Sequence, residues 1–286
     1  MNLSANTTLL RMYELAISGA LGAVFGLFLD VELVQTGSLW LRDALAGVLI
    51  GGALGFVLNA VEPLRDGALI RLSRKGAVGA VAGAVGGSLG LLVGEFVLGG
   101  FQGGLIGRAC SWAILGLGIG VSQALADRSW QRLLFGVLGG VSGGFLGGFS
   151  FEALRQALGN RYDLSQSFGM VLLGGGLGLC LAAVEQALKR AWVVVRNGRQ
   201  EGRSYLLTRG SSVLGLDEHV EIGLFGDPKV ARRHAEIVRM RDKYELRNHD
   251  AKGRTRVNGE VVELTCFLSD GDRIELGQTL LTFRRR

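Results

Sequence analysis

FGMVLLGGGLGLCLAAVEQALKRAWVVVR, residues 168–196, holds the switch on which the fold turns. From Phe168 to Leu188 the run is apolar and rich in glycine, about the 20 residues that a bilayer-spanning helix needs. Lys189 and Arg190 close it. From Trp192 the chain becomes bulky and β-branched, the composition of a strand. The two sides of this switch differ throughout. Residues 1–190 hold 37 of the 47 glycines, whereas residues 191–286 hold 18 of the 31 Lys+Arg and 14 of the 25 Asp+Glu. A lipid-facing body followed by a water-facing head is the expected organisation.

The bulk properties agree. A mean hydropathy of +0.33 with two prolines in 286 residues does not suit an all-soluble protein. The net charge of +6 is small for a nucleic-acid binder and is explained by basic loops flanking membrane spans. No nucleic-acid partner is therefore expected. Cys110, Cys180 and Cys266 form no CxxC pair, and His219, His234 and His249 lack the spacing of metal ligands, so no metal, cofactor or disulfide is expected.

Upstream of the switch, six apolar stretches fall at about 15–34, 44–61, 77–98, 109–126, 133–154 and 168–188. The first starts near Leu15, lacks a basic lead-in and is followed by further spans, which reads as a span and not a cleaved signal. The segment EPLRDGALIRLSRKG between the second and third reads as a short amphipathic piece along the interface. One set of loop ends carries Arg11, Arg65, Arg71, Arg74, Lys75, Arg128, Arg132, Lys189 and Arg190; the other carries Arg42, Arg108, Arg155 and Arg161. The positive-inside rule then puts both termini and the head in the cytoplasm of an inner-membrane protein.

The spans look repeated. GGSLGLLVGE and GGFLGGFSFE align at an offset of 57 residues, bringing Glu95 over Glu152, and the even spans end alike at NAV, QAL and QAL. Three tandem helical hairpins follow. Glycines recur at helical spacing: Gly19, Gly22, Gly26; Gly79, Gly83, Gly87; Gly136, Gly140, Gly144, Gly148. Such stripes let helix backbones approach closely where lipid supplies no hydrophobic drive. Packing within one six-helix bundle, self-association into a homo-oligomer and a glycine-lined pore are the readings they allow. Glu95, Arg108, Glu152 and Glu185 lie inside or at the edges of apolar runs. They read as interfacial anchors or helix-pairing groups, with a transport role as the alternative.

Downstream, short β-rich runs (WVVV, SYLLT, VEIGL, HAEIV, YELRN, RIEL, TLLTF) alternate with turn signals such as Gly226-Asp227-Pro228, Asn258-Gly259 and Gly277-Gln278. That is the signature of an all-β sandwich. RIEL-GQ-TLLTF reads as a two-residue hairpin with Gly277 at the first turn position.

Three stretches carry a family resemblance: VLGLDEHVEIGLFGDPKVARRHAEI at 213–237, DAKGRTRVNGE at 250–260 and SDGDRIELGQTLLTF at 269–283. In order and spacing they resemble the forkhead-associated (FHA) domain, a phosphothreonine-binding β-sandwich. The family pattern runs Gly-Arg, Asp-Ile-x-Leu, Ser-Arg-x-His-Ala, Asn-Gly-Thr-x-Val-Asn-Gly, Gly-Asp-x-Ile-x-Leu-Gly. Gly215, His234, Asn258 and Gly259 are kept. The resemblance implies that the Gly-Arg arginine, the serine and the first asparagine hold phosphate and peptide. Here those places are Leu216, Ala231 and Gly253. Positive charge survives in Arg232, Arg233, Lys252 and Arg254, which are the candidate partner-binding residues.

No Ser/His/Asp, Cys/His or HExxH constellation appears, so an enzyme is not expected. The expected function is a membrane-anchored adaptor whose degenerate FHA head recruits a cytoplasmic protein, acidic or phosphorylated, without the usual phosphothreonine dependence. The alternative is a channel or transporter body regulated by that head.

Overall fold

The computed structural model describes residues 3–94, 96, 104–127, 130–158, 162–208, 210–241, 243–250 and 254–286. Glu95, Lys252 and Gly253 lie outside them. The chain divides into two compact units, Ser4–Leu188 and Lys189–Arg286.

The first unit is six helices: α1 (Leu3–Leu33), α2 (Leu39–Asp66), α3 (Leu69–Val93), α4 (Gly104–Asp127), α5 (Trp130–Leu158) and α6 (Tyr162–Leu188). All six are long and apolar enough to cross a membrane by length and composition. Glycines line the seams between neighbouring helices. Between α2 and α3, glycine meets glycine at Gly47–Gly87, Gly51–Gly83 and Gly55–Gly79. Gly116–Gly140 and Gly120–Gly136 do the same between α4 and α5, and Gly19–Gly174 between α6 and α1. Gly86 meets Gly118 between α3 and α4, where Gly90 also lies on the Ser111 carbonyl, and glycine meets a larger residue at Gly26 on Ile50 (α1–α2) and Gly143 on Leu177 (α5–α6). Every helix thus touches the next, and α6 returns to α1.

The even helices fill the interior of this ring. Ile50, Leu54, Leu115, Ile119, Leu173 and Leu177 are all at most 3% exposed and belong to one apolar cluster. Phe25, Phe28, Val81, Val85, Leu138 and Leu146 stay exposed on the outside. Large side chains inside and large side chains outside, with small ones at the contacts, is the pattern for helices packed in lipid.

The interfacial segment expected between the second and third spans is not a separate element. α2 runs on through Pro63 to Asp66, Gly67 turns the chain at φ 72°, and α3 starts at Leu69. The basic residues that suggested an amphipathic surface piece are instead paired. Arg71 lies 3.4 Å from Asp66, and Lys75 donates to Glu62 at 3.0 Å.

Glu62 anchors a charge cluster at this end of the unit. Arg132 from α5 lies 3.6 Å from it, and Arg11 of α1 lies 3.6 Å from Glu185 of α6. Asn59 donates to Ser122 of α4 at 2.9 Å just inside. The 57-residue offset that superposes Gly83 on Gly140 also carries Lys75 to Arg132, the two cations that meet Glu62. Each pair ties one helix to another, and these part-buried charges would be costly unpaired.

The second unit is a two-sheet sandwich. Its strands are β1 (Ala191–Val195), β2 (Ser204–Leu206), β3 (Ser211–Gly215), β4 (Ile222–Gly223), β5 (Ala235–Met240), β6 (Lys243–Asn248), β7 (Thr255–Val257), β8 (Glu260–Val261), β9 (Thr265–Leu268), β10 (Arg273–Leu276) and β11 (Thr279–Arg285). One sheet has the order β2-β1-β11-β10-β7-β8, the other β4-β3-β5-β6-β9. Val193, Val195, Leu214, Ile237, Leu246, Ile274, Leu281 and Phe283 interdigitate between them, none more than 2% exposed. The β10–β11 hairpin turns at Gly277-Gln278 with Gly277 at φ 63°.

Candidate partner-binding site

The loops that carry the FHA motif positions meet at one end of the sandwich, and a single polar chain ties them together. The Ala231 N–H donates to His234 Nδ1 at 3.0 Å, so that nitrogen carries no proton. His234 Nε2 then donates to Thr255 Oγ1 at 3.1 Å. The Thr255 hydroxyl donates to Asn248 Oδ1 at 2.7 Å. Asn248 Nδ2 in turn reaches the carbonyls of Asp250 and Val262 at 3.0 and 2.9 Å. Every link has one donor and one acceptor. His234 is fully buried, and burial pushes its pKa below the ordinary value. It is a neutral brace between the β4–β5 loop, β7 and the end of β6.

Gly215 is kept for a steric reason. A side chain there would collide with the carbonyl of Arg232, where the β4–β5 loop crosses the end of β3. The crossing is fixed by Leu216 N–H to Ala231 O and Asp217 N–H to Arg232 O, both 3.1 Å. Leu216, at the place of the family arginine, packs against the sandwich core. No cation reaches toward a ligand from that position.

Arg232 and Arg233 are both exposed on the β4–β5 loop. Arg254 is already engaged: its Nε and Nη2 make a bidentate pair with Asp250 at 2.9 and 2.7 Å. That guanidinium draws the Asp250 carboxyl down to about 2. A carboxylate also stands beside Arg232. Asp217 accepts the His219 N–H at 2.9 Å and meets His219 Nδ1 at 2.8 Å, contacts that lower its pKa, with Arg232 adding to the effect. The loop face therefore offers two exposed arginines next to a fixed acid.

Asn258 and Gly259 form a turn. Asn258 sits at φ 54° and Gly259 at φ 88°. The Asn258 side chain accepts the Arg273 N–H at 2.9 Å and donates to Asp272 at 2.9 Å. The sequence marked Asp227 as a turn residue only. Its carboxylate accepts Gln278 N–H at 2.6 Å, Lys229 N–H at 2.9 Å and the Thr279 hydroxyl at 3.0 Å, pinning the Gly-Asp-Pro turn to the β10–β11 hairpin. The turn motif located it; its partner lies 51 residues away.

In the helical unit, Glu152 is 2% exposed and pairs with Arg155 at 2.7 Å and with Arg108 of α4 at 3.8 Å. Glu185 pairs with Arg11. The Arg108 and Arg11 pairs link α4 to α5 and α1 to α6.

Residues 194–286 match the family described as "Inner membrane component of T3SS, cytoplasmic domain". Among solved structures, one described as a structural and functional analysis of phosphothreonine-dependent FHA domain interactions is 30% identical. It covers 34% of this chain and 97% of that one, with a TM-score of 0.31. The second unit is an FHA domain. The FhaA FHA domain, solved in complex with the intracellular domain of another protein, is 31% identical over 33% of this chain and 99% of its own, with a TM-score of 0.30. Oxoglutarate dehydrogenase inhibitor from Corynebacterium jeikeium (strain K411) is 36% identical over 93 residues, 32% of this chain. The chain spans 63% of that relative's length, so the likeness concerns the FHA unit alone.

Proposed function

We propose that this protein is a non-enzymatic, membrane-anchored adaptor whose FHA head recruits a protein partner at the cytoplasmic face without requiring phosphothreonine. The observation that carries the reading is the pairing of a kept fold with a lost phosphate site. Leu216, partly buried, packs against the core at the arginine position, Ala231 lacks the serine hydroxyl, and Asp217 stands beside Arg232. A phosphate near dianionic charge wants a guanidinium fork and a hydroxyl, not a neighbouring carboxylate. The family match supports a protein-interaction role at an inner membrane. The apolar filling of the helical ring supports an anchor over a conduit.

Calorimetry on residues 191–286 with paired peptides tests the head. A charge-assisted hydrogen bond contributes about 1.5–3 kcal/mol. Loss of two or three weakens phosphate recognition by orders of magnitude. Phosphothreonine and unmodified peptides are therefore expected to bind alike, and any residual affinity through Arg232 and Arg233 should fall with salt. Micromolar binding that needs the phosphate would refute phospho-independence.

Topology is tested separately. A reporter active only in the cytoplasm, fused after Arg286, is expected to give signal, and fused within residues 99–107 to give none. The reverse pattern would sink the adaptor reading.

A further inference from the structure

One face of the FHA head is built unlike the other. On the sheet β2-β1-β11-β10-β7-β8, register places Trp192 opposite Arg284, Thr282 opposite Arg273, and Glu275 opposite Arg256. Their strand neighbours Val193, Leu281, Ile274 and Val257 point inward and are at most 6% exposed. The outward set therefore includes Trp192, Arg256, Arg273, Glu275 and Arg284, beside the apolar Val194, Leu206 and Leu280. Arg196 joins it, its Nε donating to Thr282 at 2.9 Å, and Lys189 lies 4.3 Å over the Trp192 ring. Two acids oppose these five basic groups: Glu275 on the face and Asp270, 3.2 Å from Arg284 at its edge. The other sheet's outer face is balanced, with Glu245 on Arg247 at 2.8 Å and His249 on Glu236 at 3.3 Å.

The basic face is also the one nearest in sequence to the last apolar helix. α6 ends at Leu188 and β1 begins at Ala191, so only Lys189 and Arg190 intervene. Extended chain covers at most about 3.6 Å per residue. Trp192 and Lys189 are thereby held within a few residues of the bilayer surface if α6 spans it. Tryptophan favours the headgroup layer, and basic clusters beside a span are drawn to anionic lipid.

We infer that this outer face, centred on Trp192, Arg256 and Arg273, is a docking surface for anionic lipid headgroups. It rests on the membrane-anchored reading. The motif loops bearing Arg232 and Arg233 are separate from it and stay available to a protein partner. Each basic side chain brought to an anionic surface favours the docked state by about fivefold.

The test uses the full chain with Cys110, Cys180 and Cys266 replaced by serine, reconstituted in nanodiscs of zwitterionic lipid or with one-third phosphatidylglycerol. Spin labels go at Ser204→Cys, exposed on this sheet, and at Thr265→Cys, exposed on the other. In anionic discs the label at 204 is expected to lose several-fold in accessibility to a water-soluble nickel complex, and the label at 265 to keep it. Arg256→Glu with Arg273→Glu, or high salt, should restore access at 204. Equal access in both lipids would overturn the proposal. So would shielding by added duplex DNA in zwitterionic discs, which would make the face a nucleic-acid site. A chain that does not insert into discs at all would instead refute the membrane reading beneath it.

Discussion

Gly140→Ala is expected to unfold the helical unit or collapse its thermal stability in detergent, although it adds one methyl group and raises helix propensity. A β-carbon built at Gly140 falls within clash distance of the Gly116 carbonyl, and one at Gly116 strikes the Gly140 carbonyl in return. The obstacle is backbone on both sides, so no side chain can rotate away. The helices must separate, and the neighbouring pair Gly120–Gly136 separates with them. Gly52 and Gly175 supply the control. A β-carbon at either would meet its nearest atom at 3.5 Å, an ordinary contact. There Gly→Ala should gain up to about 1 kcal/mol from lost backbone freedom. The same chemical change is thus expected to have opposite signs at glycines on different helices of one unit. Gly140→Leu and Gly144→Leu should be more damaging still, because a β-carbon at Gly144 meets the Trp112 carbonyl. Melting curves and size-exclusion profiles of the purified variants decide it. Wild-type stability in Gly140→Ala would mean that the α4–α5 seam is not where the backbones meet.

Much of this packing was legible beforehand, and the reason is periodicity. Glycines every four residues on an apolar helix declare a flat stripe, whatever lies against it. The partner of each stripe was not legible. Gly140 could as well have faced another copy of the chain, since nothing local distinguishes Gly116 from a glycine on a second molecule. The charge cluster misled for a related reason. Arg71 and Lys75 read as surface residues because their acids, Asp66 and Glu62, sit on the preceding helix beyond a turn at Gly67. Only the chain reversal brings them together.

In the head, the FHA pattern located the loops but not what holds them. Asn248 and Thr255 looked like ordinary strand residues, yet they complete the chain from His234 to the carbonyls of Asp250 and Val262. Arg254 shows the converse. By position it belonged to a basic patch, and its guanidinium is bound to Asp250. Sequence spacing gives the neighbours along a strand; which side chain satisfies which depends on how the loops fold, whether the partners lie 4 residues apart, as Arg254 and Asp250 do, or 21, as His234 and Thr255 do.

That chain makes His234 the most sensitive residue of the head. His234→Ala is expected to cost about 3 kcal/mol in residues 191–286, from unsatisfied buried groups and the vacated ring volume. Against a typical domain stability of 5–15 kcal/mol this is a large share. The pH dependence follows from the same geometry. Protonation would place a hydrogen on Nδ1 facing the Ala231 N–H, so the folded state holds the ring neutral and its pKa below the ordinary 6.5. The unfolded chain then binds the proton more readily, and stability is lost as pH falls below about 6.5. Asp250 acts lower on the scale. Its folded carboxyl titrates at about 2, against 3.8 unfolded, so its contribution is present above about 4 and disappears as pH falls toward 2. Urea unfolding at pH 7.5 and pH 5.0 should show the wild-type head weakening with acid. His219 and His249 are common to both proteins, so the difference between wild type and His234→Ala isolates the brace. The variant should be weaker at pH 7.5, and the gap should narrow at pH 5.0. A gap that is small at pH 7.5, or that widens in acid, would show that His234 does not hold the loops as a neutral ring.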